Sequence, residues 1–138
     1  GFLLGNMIGW ALKKANRLNE IDFLIPIPVR KNTERTRGYN QSLIICEGIA
    51  QAFPIPILKA VLFKNKKTNT QTHKDRIERG HNSSLLFGLK NAEQICNKNL
   101  LLVDDIITTG ATAESAGHCL LQAKPAAIHF AAAAYTLS

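Results

Sequence analysis

Apolar residues recur at helical spacing near the start of the chain: Leu4, Ile8, Ala11, Ala15 and Leu18 fall on one face. The pattern predicts an N-terminal helix within residues 1–20. Gly5 and Gly9 weaken it, since a glycine inside a helix costs about 1 kcal/mol relative to alanine. Such a helix is either a lid or partner-binding element, or it packs on the rest of the fold. Ile21 to Val29 is an apolar run containing Pro26 and Pro28, and reads as a short buried strand opening into a loop. Apolar residues on nearly every face predict a helix from Asn40 to Phe53, buried between layers and ended by Pro54 and Pro56. Pro56 to Phe63 reads as another short strand. A polar stretch from Lys64 to Ser84 follows, with little core signal; it is a working loop or a disordered insertion. The last third is the clearest. Leu100 to Val103 is a buried parallel strand. A helix from Thr112 to Ala123 places Ala113, Ala116, Leu120 and Ala123 on one face and stops at Lys124 and Pro125. Ala126 to Tyr135 is a final buried strand. Strand, helix and strand with short connections form a βαβ unit.

Composition narrows the class. The chain has 138 residues, 46% hydrophobic and 20% charged, which predicts one folded domain over residues 1–138. Lys and Arg number 17 against 10 Asp and Glu, giving a net charge of +7. Such a surface favours anions: phosphate, nucleotide, nucleic acid or acidic lipid. Cys46, Cys96 and Cys119 form no CxxC pair, which excludes a zinc site built on such pairs. Their odd number argues against a secreted disulfide framework and predicts reduced thiols in a cytoplasmic protein. No segment reaches the roughly 18 apolar residues of a membrane span. The apolar start is not a signal peptide by its polarity, because Lys13, Lys14 and Arg17 follow the run instead of preceding it. Gly1 in place of Met suggests a shortened chain or a fragment.

The chemistry concentrates in Leu100 to Thr112, LLLVDDIITTGAT. Four apolar residues end at two adjacent carboxylates, Asp104 and Asp105, where a parallel strand leaves the sheet. Ligands of open α/β sheets bind at that edge. Two acids there need an answer from polyol hydroxyls, magnesium or a nearby cation. Thr108, Thr109, Gly110, Ala111 and Thr112 then lead into a helix. Gly110 permits a tight turn, and free amides with Thr hydroxyls suit a phosphate. A sugar phosphate satisfies both halves. The segment is neither GxxxxGK[ST] nor GxGxxG. The plainer reading is a strand-to-helix turn with Thr112 as N-cap.

This string resembles the phosphoribosyl pyrophosphate (PRPP) motif of type I phosphoribosyltransferases. Two further segments are similar to the ComF/GntX-like branch, which is linked to DNA uptake in competence. Ile25 to Ser42, IPIPVRKNTERTRGYNQS, is similar to its PVP…RGFNQ segment. Lys67 to Gly88 places Thr68, Gln71, Arg76, Asn82 and Phe87 as that branch does. The resemblance implies an α/β fold with a central parallel sheet of about five strands flanked by helices, and a flexible loop at residues 64–84 over the site. It implies that Asp104 and Asp105 are catalytic, hold the ribose hydroxyls of PRPP, and meet Mg²⁺ mainly through the substrate. Thr108, Thr109, Gly110, Ala111 and Thr112 would hold the 5′-phosphate. The loop after the first strand, with Val29, Arg30, Lys31, Arg35 and Arg37, would hold the pyrophosphate, and cations there suit its oxygens. Asn40 and Gln41 would add contacts, or Gln41 would cap the following helix. Lys67 and His73 would stabilise the departing pyrophosphate.

Two features depart from the resembled pattern. The cysteine-rich zinc segment often found at the N-terminus of ComF-like proteins is not in this sequence. Enzymes acting on 6-oxopurines carry an Asp where this chain has Thr108, and a threonine does not exchange a proton with the base near neutral pH. Three functions follow: a transferase moving phosphoribosyl to a nitrogen nucleophile, a module binding single-stranded DNA or competence proteins, and a PRPP or nucleotide sensor without turnover. A homodimer is compatible with each.

Overall fold

The computed structural model describes residues 2–14, 20–29, 40–65 and 86–135. In chain order these form helix α1 (Phe2–Lys14), strand β1 (Phe23–Pro26), helix α2 (Gln41–Ala52), strands β2 (Leu62–Lys64) and β3 (Phe87–Leu89), a 3-10 turn at Ala92–Gln94, strand β4 (Asn99–Ile107), helix α3 (Ala111–Leu121) and strand β5 (Ala127–Tyr135). The chain folds as α/β, as its pattern predicts.

A parallel sheet runs in the order β1–β4–β5. Its register starts at a reciprocal pair: the Asp22 amide donates to the Asn99 carbonyl at 2.8 Å, and the Asn99 amide donates to the Asp22 carboxylate at 2.8 Å. From there Phe23 pairs with Leu100 and Pro26 with Val103. On the other side of β4, pairing with β5 runs from Asn99–Ala127 to Ile107–Tyr135.

The sheet expected to have about five strands has three among the described residues, extended by one parallel bridge between Leu24 and Ile57. The prolines explain why that segment adds one bridge and not a strand. Leu24 donates to the Pro56 carbonyl and Leu58 donates back to Leu24, both at 2.9 Å, but Pro54 and Pro56 have no amide to continue the ladder. β2 and β3 form a separate antiparallel ribbon.

Alternation along the strands gives the sheet two covered faces. Leu24, Leu101 and Val103 join Ile45, Cys46 and Ile49 of α2, with Ile8 and Leu12 of α1 behind them. Ile25, Ile27, Leu100 and Leu102 join Ala116, Cys119 and Leu120 of α3, with Val61, Leu62 and Phe87 of the ribbon. β5 is half-buried, not buried as its apolar sequence suggests, because among the described residues it stands at the sheet margin.

Gly5 and Gly9 are buried where α1 meets α2. A Cβ on Gly5 would run into the Ile45 carbonyl oxygen and stand 3.0 Å from the Gly48 Cα. The two glycines expected to weaken α1 are its contact surface. Of the predicted N-terminal helix, Gly1 and residues 15–19 lie outside the described residues, as do residues 66–84 of the predicted flexible loop. Among the described residues no helix is long and apolar enough to cross a membrane.

Candidate functional site

The two strands flanking β4 have different reach. β1 gives up its last rung at Pro26–Val103, and Ile27 adds one bond to the Val103 carbonyl at 2.8 Å. β4 continues for four more residues because β5 still offers a ladder, with pairs at Asp104–Ala132, Ile106–Ala134 and Ile107–Tyr135. The sequence pattern ended this strand at Val103. The structure carries it to Ile107, so Asp104 and Asp105 lie within the strand, past the end of its β1 partner. A step in the sheet edge results, and the acids stand on it.

Each carboxylate folds back on the next amide. The Asp105 amide donates to Asp104 Oδ1 at 2.8 Å, and the Ile106 amide donates to Asp105 Oδ1 at 2.8 Å. Asp104 is buried, and the Ser42 hydroxyl donates to its Oδ1 at 3.3 Å. Burial, then the neighbouring Asp105, pushes the Asp104 carboxyl up to about 6, although the Asp105 amide and Ser42 oppose the shift.

Ser42 reaches this position through the local design of α2. Asn40 is its N-cap, with backbone φ −96° and ψ 113°, and its Oδ1 accepts from the Ser42 and Leu43 amides at 2.9 and 3.4 Å. Its side-chain amide donates to the Ile27 carbonyl at 3.4 Å, just beyond β1. One asparagine thus ties the end of β1 to the start of α2 and presents Ser42 to the acid pair. Asn40 and Gln41 were expected to add contacts, with Gln41 as the alternative cap; the cap is Asn40, whose Oδ1 reaches the first-turn amides. Ser42 was missed altogether. The available signal was a Ser two residues after an Asn at a helix start, a pattern common enough to pass unnoticed.

The loop after β4 turns directly into a helix. Gly110 is the N-cap of α3, at φ 83°, and as a glycine makes no side-chain cap bond. Thr112, the cap in the plainer reading of this turn, lies inside the first turn. The Thr109 hydroxyl accepts from the Ala111 amide at 3.3 Å, and the Glu114 amide begins the helical ladder at the Gly110 carbonyl, 2.9 Å away. First-turn amides have no helical carbonyl of their own. Asp104, Ile106, Ile107, Thr108, Gly110 and Thr112 line one small polar crevice here, together with Ala113. The structure therefore brings Asp104 together with Thr108, Gly110 and Thr112, while Asp105 does not line this crevice.

Val29 is half-buried, two residues beyond the Ile27 bond to β4. Arg30, Lys31, Arg35, Arg37, Lys67 and His73 lie outside the described residues. No three His, Cys, Asp or Glu side chains gather as a metal site among the described residues. Asp104 and Asp105 are the described carboxylates that would meet magnesium, which keeps waters and takes phosphate oxygens from a substrate.

Residues 40–138 match the family of the phosphoribosyl transferase domain. The chain belongs to that family. Its relatives place it in the ComF-like branch of type I phosphoribosyltransferases. It is 33% identical over 104 residues to competence protein ComFC of Bacillus subtilis, covering 75% of this chain and 40% of that protein. It is 30% identical over 115 residues to competence protein F of Haemophilus influenzae, covering 79% of this chain and 49% of that one. The chain thus spans less than half the length of either relative. The solved structure of glutamine PRPP amidotransferase from B. subtilis, complexed with ADP and GMP, superposes with a TM-score of 0.64 over 96% of this chain and 26% of that one. At 20% identity this establishes the shared phosphoribosyltransferase fold.

Proposed function

We propose that this phosphoribosyltransferase-like chain binds PRPP with Mg²⁺ and transfers the phosphoribosyl group to a nitrogen nucleophile. The observation that carries the proposal is the step in the sheet: an acid pair on an overhanging strand, followed within five residues by a helix start whose N-cap is Gly110. Acceptors that suit ribose hydroxyls and amides that suit a phosphate thus lie in one short segment. In this reading Asp104 and Asp105 take the ribose hydroxyls, and Ser42 keeps Asp104 in place. The Thr108 to Thr112 loop takes the 5′-phosphate. Val29, Arg30, Lys31, Arg35 and Arg37 receive the pyrophosphate, with Lys67 and His73 helping it leave.

In the transfer the nitrogen lone pair forms a bond to the anomeric carbon. The bond from that carbon to the pyrophosphate oxygen breaks, pyrophosphate keeps the electron pair, and the nitrogen gives up a proton. The chain's contribution is positioning and compensation of the charge on the leaving group. Magnesium, held by Asp104 and Asp105 mainly through substrate oxygens, would add positive charge there. Thr108 disfavours a 6-oxopurine acceptor. Three unpaired thiols fit a cytoplasmic protein.

The names of the relatives support a second reading, in which the fold serves DNA uptake. They are competence proteins and, in Salmonella typhimurium, a DNA utilization protein, and the net charge of +7 suits a polyanion. Thermal unfolding with PRPP and Mg²⁺ separates the readings. Ligand at about 100 times its dissociation constant stabilises the native chain by about 2.7 kcal/mol, and Asp105→Asn should abolish the shift. No shift at millimolar PRPP, with single-stranded DNA binding that falls steeply with salt, would overturn the first reading in favour of the second.

A further inference from the structure

The outer face of α1 carries a feature the site does not use. Leu3, Met7 and Trp10 follow one another at i, i+4 and i+7, one row along a helix, and are 73%, 59% and 54% exposed. A single exposed leucine needs no explanation, but three large apolar side chains in a row do.

The row is held outward by what lies behind it. On the α2 side a Cβ at Gly9 would stand 3.0 Å from the Ala52 Cβ, and one at Gly5 would strike the Ile45 carbonyl. Only glycine fits at Gly5, and Gly9 leaves little room, so rolling α1 to bury its row would drive a side chain against the α2 backbone. The helix contains no acid and ends in Lys13 and Lys14. The Lys13 ammonium lies 4.7 Å from the centre of the Trp10 ring and 5.0 Å from that of Phe53. Its stem covers apolar surface while its charge stays beside the row.

The charges choose among occupants. A second copy would bring two chains of charge +7 together through cationic helices. A nucleic acid would answer the lysines but offers nothing to Leu3 and Met7. A bilayer surface of acidic lipids answers both, with an apolar layer beneath a negative one. We propose that the outer face of α1 docks on anionic bilayers, with Leu3, Met7 and Trp10 entering the headgroup boundary and Lys13 and Lys14 facing lipid phosphates. The attachment is peripheral: at 13 residues α1 lies on a membrane and does not cross it.

Trp10 is the chain's single tryptophan and reports its own surroundings. The test titrates the full chain with vesicles of phosphatidylcholine, alone or mixed with phosphatidylglycerol. A blue shift of Trp10 emission and co-sedimentation are expected with the mixed vesicles, weakening as salt rises. Lys13→Ala/Lys14→Ala should lower partitioning roughly thirtyfold, and Leu3→Ser/Met7→Ser should abolish it. Circular dichroism and thermal unfolding of each variant should match wild type, since the altered side chains are exposed. No blue shift, equal binding to both vesicle types, or undiminished binding by a folded Leu3→Ser/Met7→Ser variant would overturn the proposal. A concentration-dependent dimer lost in that variant would overturn it and give the face to a second copy. A Trp10 shift produced by single-stranded DNA, and not by vesicles, would overturn it in favour of a nucleic acid.

Discussion

The same substitution, glycine to alanine, should have opposite effects at two helical positions. Gly117 lies inside α3 with nothing within 4 Å of the place where a Cβ would stand. Alanine there gains helix propensity and a stiffer unfolded chain, worth about 0.5–1 kcal/mol. Gly5 gains the same from propensity, but its Cβ would occupy the space of the Ile45 carbonyl and press the Gly48 Cα at 3.0 Å. Both obstacles are backbone, so neither yields by a rotamer change, and α1 must move off α2. Overpacking of this kind costs about 1–3 kcal/mol. The net expectation is a loss of about 1–2 kcal/mol for Gly5→Ala against a gain for Gly117→Ala. In urea denaturation the two midpoints should shift in opposite directions with unchanged slopes. If Gly5→Ala proved as stabilising as Gly117→Ala, α1 would not pack on α2 through its glycines, and the outward-held apolar row would lose its basis.

Three further outcomes follow. The Asp104 carboxyl rises from 3.8 to about 6 on folding, so between those values the native chain keeps a proton that the unfolded chain has released. Its contribution therefore falls as pH rises through that window; Asp104→Asn, which keeps an acceptor for Ser42, should flatten the slope and stabilise at pH 7 by about 1 kcal/mol after screening, read from denaturation midpoints at pH 4–7. Gly110→Ala places a side chain at φ 83° and should cost about 1–2 kcal/mol in thermal unfolding, with a weakened response to PRPP. Among the cysteines, exposed Cys96 should react with a thiol reagent in the native chain, while Cys46, buried and pushed up to about 12, and buried Cys119 should react only after unfolding.

The β4–α3–β5 unit was legible because three signals agreed there: an apolar run, paired acids, and a small glycine-containing turn ahead of a helix. Its strand length was not. Side-chain polarity changes at Asp104, whereas the ladder to β5 is made by backbone groups indifferent to that change. The helix of residues 40–53 was visible from its apolar content, but the division of labour among Asn40, Gln41 and Ser42 depends on where β1 ends, a tertiary fact. Gly5 and Gly9 read as defects because propensity describes one helix in isolation, and the close approach of α2 belongs to two. The strand assigned to Pro56–Phe63 divided into a single bridge at Ile57 and the start of β2, since apolar character alone does not say which ladder a residue joins.

The unequal reach of β1 and β4 has a consequence for how such a chain diversifies. The floor under the acids is fixed by register, through rungs that lie before Val103 on one side and run past it on the other. No described rung involves the sequence between Val29 and Asn40. Insertions or replacements there leave the rungs under the carboxylates in place, whereas one residue added between Asp22 and Pro26 would shift the step itself. Tolerance to new chain is thus set by which residues carry the register.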